Sequence, residues 1–372
     1  MPHRFAPAAC ARLIVKIGSA LLVDAGGAIR RDWLAGMTAD IAAAHRAGQQ
    51  VVIVSSGAIA LGARRLGLAK GGRASLEDAQ AAAAVGQIAL SQVWAELLGA
   101  EGLTAAQMLV TLDDLEDRRR YLNAASTLDR LLTLGTVPIL NENDSVATAE
   151  IRFGDNDRLA ARVAQAARAQ GVLLLSDVDG LYTANPHRDP AARRLDEVHR
   201  IDARIRAMAD GGSASGMGSG GMVSKIEAAR IAQAAGAHLA IASGQVPHPL
   251  AQFLAGGSGT VFVADPVRGG RKSWLAGRLT ARGTITVDAG AATALAGGAS
   301  LLAAGATAVA GRFDRGDVIE IVGPAGRIAR GLAEYDAADA ARIAGHRSGD
   351  QAAILGYAPR SALVHRDQLV LL

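Results

Sequence analysis

Four short apolar runs, at residues 13–17, 51–54, 137–140 and 172–175, each stop on a glycine, serine or asparagine, and a fifth lies at 237–242. Between them apolar residues recur at helical spacing, over 59–66, 77–98, 113–134 and 159–167, and again from about Ser224. A further short strand is expected at 107–111. Strands with no polar face, alternating with helices, call for a sheet covered on both sides, and such sheets are mainly parallel. The expected class is therefore α/β, a mainly parallel sheet sandwiched by helices. Sheets of this kind bind ligands outside the carboxyl ends of their strands. The residues that end each run become the candidates.

The run at 13–17 carries Lys16 and passes directly into Gly18-Ser19. A buried strand rarely holds a lysine without a partner or ligand. The chain has only four lysines, Lys16, Lys70, Lys225 and Lys272, the other cations being arginine, so lysine is not its surface filler. The run at 51–54 ends in Ser55-Ser56-Gly57-Ala58, small residues that let a ligand approach the backbone before a helix start. After 137–140 comes the segment around which the chain is organised, Asn141-Glu142-Asn143-Asp144 through Gly154-Asp155-Asn156-Asp157. Asn141 and Asp144 are expected just past a strand end. Asp155, Asn156 and Asp157 are expected at a helix N-terminus, where carboxylates and amides can bind backbone donors or a ligand.

A glycine-rich run from Gly211 to Gly221 then leads through Met222, Val223 and Ser224 to Lys225 at a helix start. Ordering so many glycines is costly, and a cradle of backbone N–H groups for phosphate is the natural return. The run is not a Walker loop, and Gly216-x-Gly218 is only a weak dinucleotide signal. Two lysines beside glycine loops and two acidic clusters at strand ends suit phosphoryl transfer between two anions, which is mostly positioning and charge neutralisation. Lys16 and Lys225 would bracket the migrating group, and Asp157 would hold their ammoniums in place. Asn141, Asp144, Asp155 and Asn156 would bind the polar head of the acceptor, most simply an ammonium.

The remaining features bound the answer. The 372 residues suffice for two domains. Asp265-Pro266 and Gly269-Gly270 mark a boundary, giving a catalytic domain over 1–268, a linker over 269–280 and a compact β-rich domain over 281–372. One cysteine, Cys10, precludes an internal disulfide framework and suits a reducing, cytoplasmic setting. The N-terminal apolar run, interrupted by Lys16, is a poor signal peptide. Residues 291–311 carry no charge but are broken by glycines, and are expected to form a helix, a turn and a strand rather than a membrane span. The eight histidines show no metal-binding spacing, so no metal site is expected from protein ligands alone.

Together Val15-Lys16-Ile17-Gly18-Ser19, Ser55-Ser56-Gly57-Ala58-Ile59, Asn141-Glu142-Asn143-Asp144, Phe153-Gly154-Asp155-Asn156-Asp157, Ser176-Asp177 and Gly218-Ser219-Gly220-Gly221-Met222 through Lys225 resemble the glutamate 5-kinases of the amino acid kinase family. The motifs stand in the family's order over roughly residues 10–265, and the tail resembles a PUA domain. Ser19, Ser176 and Ser219 stand where threonine is common, which keeps the hydroxyl.

The resemblance implies the amino acid kinase fold, ATP and Mg²⁺ as cosubstrate and metal, and phosphorylation of the γ-carboxylate of L-glutamate in proline biosynthesis. It makes Lys16 and Lys225 the phosphoryl-stabilising lysines with Asp157 as their organiser. It makes Ser56, Asp144 and Asn156 glutamate contacts, with Asn141 and Asp155 as companions. Ser176, Asp177, Gly218, Ser219, Gly220, Gly221, Met222, Val223, Ser224, Lys225 and Lys16 become the ATP-binding set. It also implies a homo-oligomer, dimer or tetramer, and proline as feedback inhibitor.

Other amino acid kinases, acting on N-acetylglutamate, aspartate or UMP, are the nearest alternatives. N-acetylglutamate and UMP lack the free ammonium that the acidic clusters favour. An RNA-binding protein is the alternative of another class. From Ala281 onward nine arginines balance nine acidic residues, so this neutral tail is a poor RNA ligand, and no membrane partner is expected.

Overall fold

The computed structural model describes residues 3–24, 26–146, 156–186, 188–209, 221–264 and 281–372. The expected linker at 269–280 lies outside them. The chain divides into two compact units, Met1–Asp117 with Asn123–Arg268, and Arg118–Leu122 with Gly269–Leu372.

The first unit is built on strands β1 (Arg12–Ile17), β2 (Gln50–Val54), β3 (Ala105–Val110), β4 (Val137–Glu142), β5 (Gly171–Ser176), β6 (Glu197–Val198), β7 (His238–Ser243) and β8 (Gly259–Phe262). Among the described residues they form one eight-stranded sheet in the order β3-β4-β2-β1-β5-β7-β8-β6. Pairings from β3 to β7 are parallel, and β8 runs antiparallel to β7. The helices that cover it include α1 (Arg31–Arg46), α2 (Ala58–Leu66), α3 (Leu76–Ala100), α4 (Arg118–Thr133), α5 (Asn156–Ala167), α6 (Met222–Ala234) and α7 (Pro249–Leu254).

Strand parity sorts the core into two layers. Leu13, Val15 and Ile17 of β1 pack with Leu173 and Leu175 of β5, Trp33 and Met37 of α1, and Leu90 and Trp94 of α3. Ile14, Val52, Val172 and Leu174 pack on the other face with Leu159 and Val163 of α5 and Ile226 and Ala229 of α6. Lys16 has the parity of Ile14. Its side chain therefore emerges on the face that α5 and α6 cover, which decides what it can meet.

Two expectations change in the structure. The helix expected over 113–134 is two, Leu112–Glu116 and α4, with Asp117 extended between them (φ −69°, ψ 126°). Thr111 and Asp114 form a reciprocal capping box, so the short helix starts independently. Asn141 lies inside β4 rather than beyond it, as its fifth of six residues.

Helices α2 and α3 cross with almost no separation. A Cβ built on Gly62 would fall 1.7 Å from the carbonyl oxygen of Ala82, and one on Gly86 1.8 Å from that of Ala58. By length and composition α3 could cross a membrane. Here its Leu90, Val93, Trp94 and Leu98 belong to the core beneath the sheet.

The second unit holds a five-stranded sheet, β10-β9-β11-β12-β13, made of β9 (Gly283–Val287), β10 (Ala306–Gly311), β11 (Val318–Gly323), β12 (Gly326–Leu332) and β13 (Leu369–Leu371). All its pairings are antiparallel except that of β9 with β11. Its core includes Ile285, Val287, Ile319, Ile321 and Val364. The uncharged stretch at 291–311 resolves into the end of helix Ala289–Ala296, a turn and β10.

Candidate active site

Asp157 is the second residue of α5 and only 1% exposed. Its Oδ1 lies 2.7 Å from Nζ of Lys16, and its Oδ2 accepts a hydrogen bond of 2.9 Å from Nζ of Lys225. One carboxylate thus bridges two ammoniums delivered by β1 and by the first turn of α6, with Lys16 8% and Lys225 6% exposed. Burial by itself would raise the pKa of Asp157, but the two cations outweigh it and hold the carboxyl down at about 2. The bridge is ionised at any physiological pH. Gly18, two residues on, lies close by: a Cβ there would sit 4.0 Å from the Lys16 ammonium, an ordinary contact distance.

Beside this bridge stands a polar cluster at the ends of β2 and β4. Asn156, the first residue of α5, donates through Nδ2 to the carbonyl of Ser55 at 2.9 Å and to Oγ of Ser56 at 2.7 Å. Asn141 Oδ1 stands 3.3 Å from the same nitrogen. The Nδ2 of Asn141 donates to Oε1 of Gln87 on α3 at 2.7 Å. Asn156, Asn141 and Ser56 are all buried, and the Oδ1 of Asn156 is a buried acceptor with no hydrogen-bond partner among the described residues. A buried acceptor without a protein donor calls for a donor from outside the described residues.

Asp144, in the short 3₁₀ turn after β4, opens with Asn143 and Ser145 onto a cavity of about 200 Å³ that Gln87, Gln107 and Glu142 also line. Burial pushes its carboxyl up to about 6.

On the other flank, Ser176 ends β5 and donates through Oγ to Asp177 Oδ1 at 2.9 Å. Ser176 is buried and Asp177 exposed. Gly221 caps α6, whose N-terminus carries the partial positive charge of a helix start. Met222, Val223 and Ser224 form its first turn, with Val223 52% exposed.

The structure therefore brings Lys16, Lys225 and Asp157 into direct contact and sets Ser56, Asn141 and Asn156 in one network. Asp144 lines the neighbouring cavity, and Ser176 stands beside β1, whose Ile17 pairs with Leu175. Asp155, Gly218, Ser219 and Gly220 lie outside the described residues. Sequence reasoning passed over Gln87, which sits mid-helix with no motif around it. It also left Ser55 without a role, although Ser55 lies within the small-residue motif after β2. Among the described residues no group of three or more His, Cys, Asp or Glu could hold a metal ion.

Residues 11–243 match the amino acid kinase family, and residues 283–355 match the PUA domain. The glutamate 5-kinase of Sphingopyxis alaskensis is 73% identical over 369 residues, spanning 99% of each chain. That of Zymomonas mobilis is 62% identical, over 99% of this chain and 93% of its own. That of Novosphingobium aromaticivorans is also 62% identical, over 98% and 96%. Among solved structures, the carbamate kinase from Giardia lamblia bound to AMP-PNP is similar in fold, with a TM-score of 0.51 at 16% identity. It covers 69% of this chain and 100% of that one.

Proposed function

The chain belongs to the amino acid kinase family, among its glutamate 5-kinases with a C-terminal PUA domain, and on that premise we propose how its residues divide the work. The reaction is ATP-dependent phosphorylation of L-glutamate to γ-glutamyl phosphate, the first step of proline biosynthesis. An oxygen of the γ-carboxylate attacks the γ-phosphorus of ATP. The bond from that phosphorus to the β–γ bridging oxygen breaks, and ADP leaves with the electron pair. Negative charge spreads over the transferred oxygens while two anions are brought together. Lys16 and Lys225 supply the opposing charge, and Asp157 fixes both ammoniums in advance, so no reorganisation is needed when the charge develops.

The observation that carries this reading is the single buried carboxylate holding two ammoniums at strand and helix ends. Ser56, Asn141, Asp144 and Asn156, with Asp155, receive the amino acid. The open Oδ1 of Asn156 and the carboxylate of Asp144 are acceptors suited to an α-ammonium. Ser176, Asp177 and the segment from Gly218 to Lys225 take the nucleotide. Mg²⁺ would enter with the nucleotide, held mainly by its phosphates and its own waters, and would neutralise part of their charge.

The test is a hydroxamate-trapping assay with ATP and Mg²⁺. Turnover is expected with L-glutamate, and equal or greater turnover with N-acetylglutamate overturns the acceptor assignment. Proline carries an α-carboxylate and, in its ring, a secondary α-ammonium in the positions of glutamate's, so we assign its inhibition to the same cluster. It should raise the KM for glutamate and leave that for ATP unchanged. A cytoplasmic homo-oligomer, dimer or tetramer, completes the reading, and sedimentation of the purified protein checks its assembly state.

A further inference from the structure

Two buried indole N–H groups each end a hydrogen-bond chain that runs to one side of this site. On α3, Nε1 of Trp94 donates to Oγ of Ser55 at 3.2 Å. Ser55 is fully buried, and its own N–H donates to the carbonyl of Leu140 on β4 at 2.8 Å. With amide and hydroxyl both held, its carbonyl is fixed where it accepts from Nδ2 of Asn156. On α1, Nε1 of Trp33 donates to the carbonyl of Gly244 at 2.8 Å. The N–H of Gly244 donates in turn to the carbonyl of Ser176 at 2.7 Å. A Cβ at Gly244 would fall 2.2 Å from Cδ1 of Leu21, so a side chain there requires that buried leucine to shift.

Asp40 lies seven residues after Trp33, on the same face of α1, and holds the far end of the same loop. Its Oδ2 accepts from the N–H groups of Leu250 and Ala251, and its Oδ1 lies 2.8 Å from Nδ1 of His248. His248 is kept at φ 51°, a conformation few non-glycine residues adopt without such support.

We propose that Trp94 and Trp33 are positioning residues, one for each substrate: Trp94 sets Asn156 through Ser55 for glutamate, and Trp33 sets Ser176 through Gly244 for ATP. Neither indole touches a reacting atom. Each satisfies a buried acceptor that would otherwise let its loop shift. The inference rests on the assignment of Asn156 to glutamate and Ser176 to the nucleotide.

The test is steady-state kinetics of the full chain with phenylalanine at each position, which removes the N–H and keeps an aromatic ring. Trp94→Phe is expected to raise the KM for glutamate about fivefold and leave that for ATP unchanged. Trp33→Phe is expected to do the reverse. Ser55→Ala should reproduce Trp94→Phe, with no further effect when the two are combined. Asp40→Asn should move the KM for ATP in the direction of Trp33→Phe. These two variants also stand in if a tryptophan substitution fails to fold. A purely structural role predicts lower thermal stability with both KM values unchanged or moving together, and that result overturns the inference. If the unsubstituted protein forms no hydroxamate from glutamate and ATP, the assignment of the two sides falls, and the inference with it.

Discussion

Replacing Asp157 by asparagine keeps the shape of the side chain and removes the charge that two buried ammoniums share. Lys16 and Lys225 are then left facing one another with little access to water. Breaking a buried ion pair by removing one partner costs about 3–5 kcal/mol. The titration of the carboxyl gives a second measure. Burial pushes its pKa up, yet the two cations bring it from 3.8 to about 2, which corresponds to roughly 2–3 kcal/mol of native stability at neutral pH.

A depressed carboxyl pKa stabilises the fold in full above the unfolded value and loses that contribution as the pH falls through the folded one. The window is therefore from about pH 4 down to about pH 2. Urea unfolding of both proteins at steps from pH 7 to pH 2.5 reads it directly. The variant should be less stable at pH 7 by about 2–5 kcal/mol, and its deficit should shrink as the acid removes the same charge from the parent. Its kcat should fall by about 10²-fold or more. A variant within about 0.5 kcal/mol of the parent at pH 7, with the same acid profile, would refute the argument that Asp157 neutralises both lysines.

Lys16→Ala and Lys225→Ala should each lower kcat far more than they raise either KM, because charge on the transferred oxygens develops mainly in the transition state. An effect confined to KM reassigns them to simple binding. Asp144, with a carboxyl raised to about 6, accepts an ammonium as an ion only above that pH, so the KM for glutamate should fall as the pH rises through 6. Asp144→Asn should flatten that profile and weaken glutamate throughout. Gly86→Ala should destabilise the fold by at least roughly 1–3 kcal/mol, since its Cβ meets backbone rather than a movable side chain. Gly99→Ala, in the same helix with open space around it, should be neutral or stabilising by up to about 1 kcal/mol in the same denaturation assay.

Much of the catalytic unit is legible in the sequence. Runs such as Leu13–Ile17 and Val172–Leu175 have no polar face, and only a sheet covered on both sides can bury them, so the strand ends and the residues on them followed from local pattern. The start at Leu112 was also within reach, because Thr111 and Asp114 carry a capping signal three residues apart, whereas no comparable signal marks the break at Asp117. Nothing local announced Asn141 as part of β4. Its amide belongs to a strand because β3 pairs through that position, Leu109 lying opposite it.

By itself, then, the sequence determined the order of elements, the loops where chemistry can occur and the identity of the charged groups there, since each of these depends on neighbours within a few residues. Tertiary structure alone decided that Lys16 and Lys225, 209 positions apart, meet on one carboxylate. It also decided that Gly62 and Gly86 let two helices touch, and that Trp94 reaches Ser55 and Trp33 reaches Gly244. Those contacts depend on strand order and helix crossing. No run of adjacent residues encodes these, because they are settled only when separate elements pack together and bury one another's surfaces.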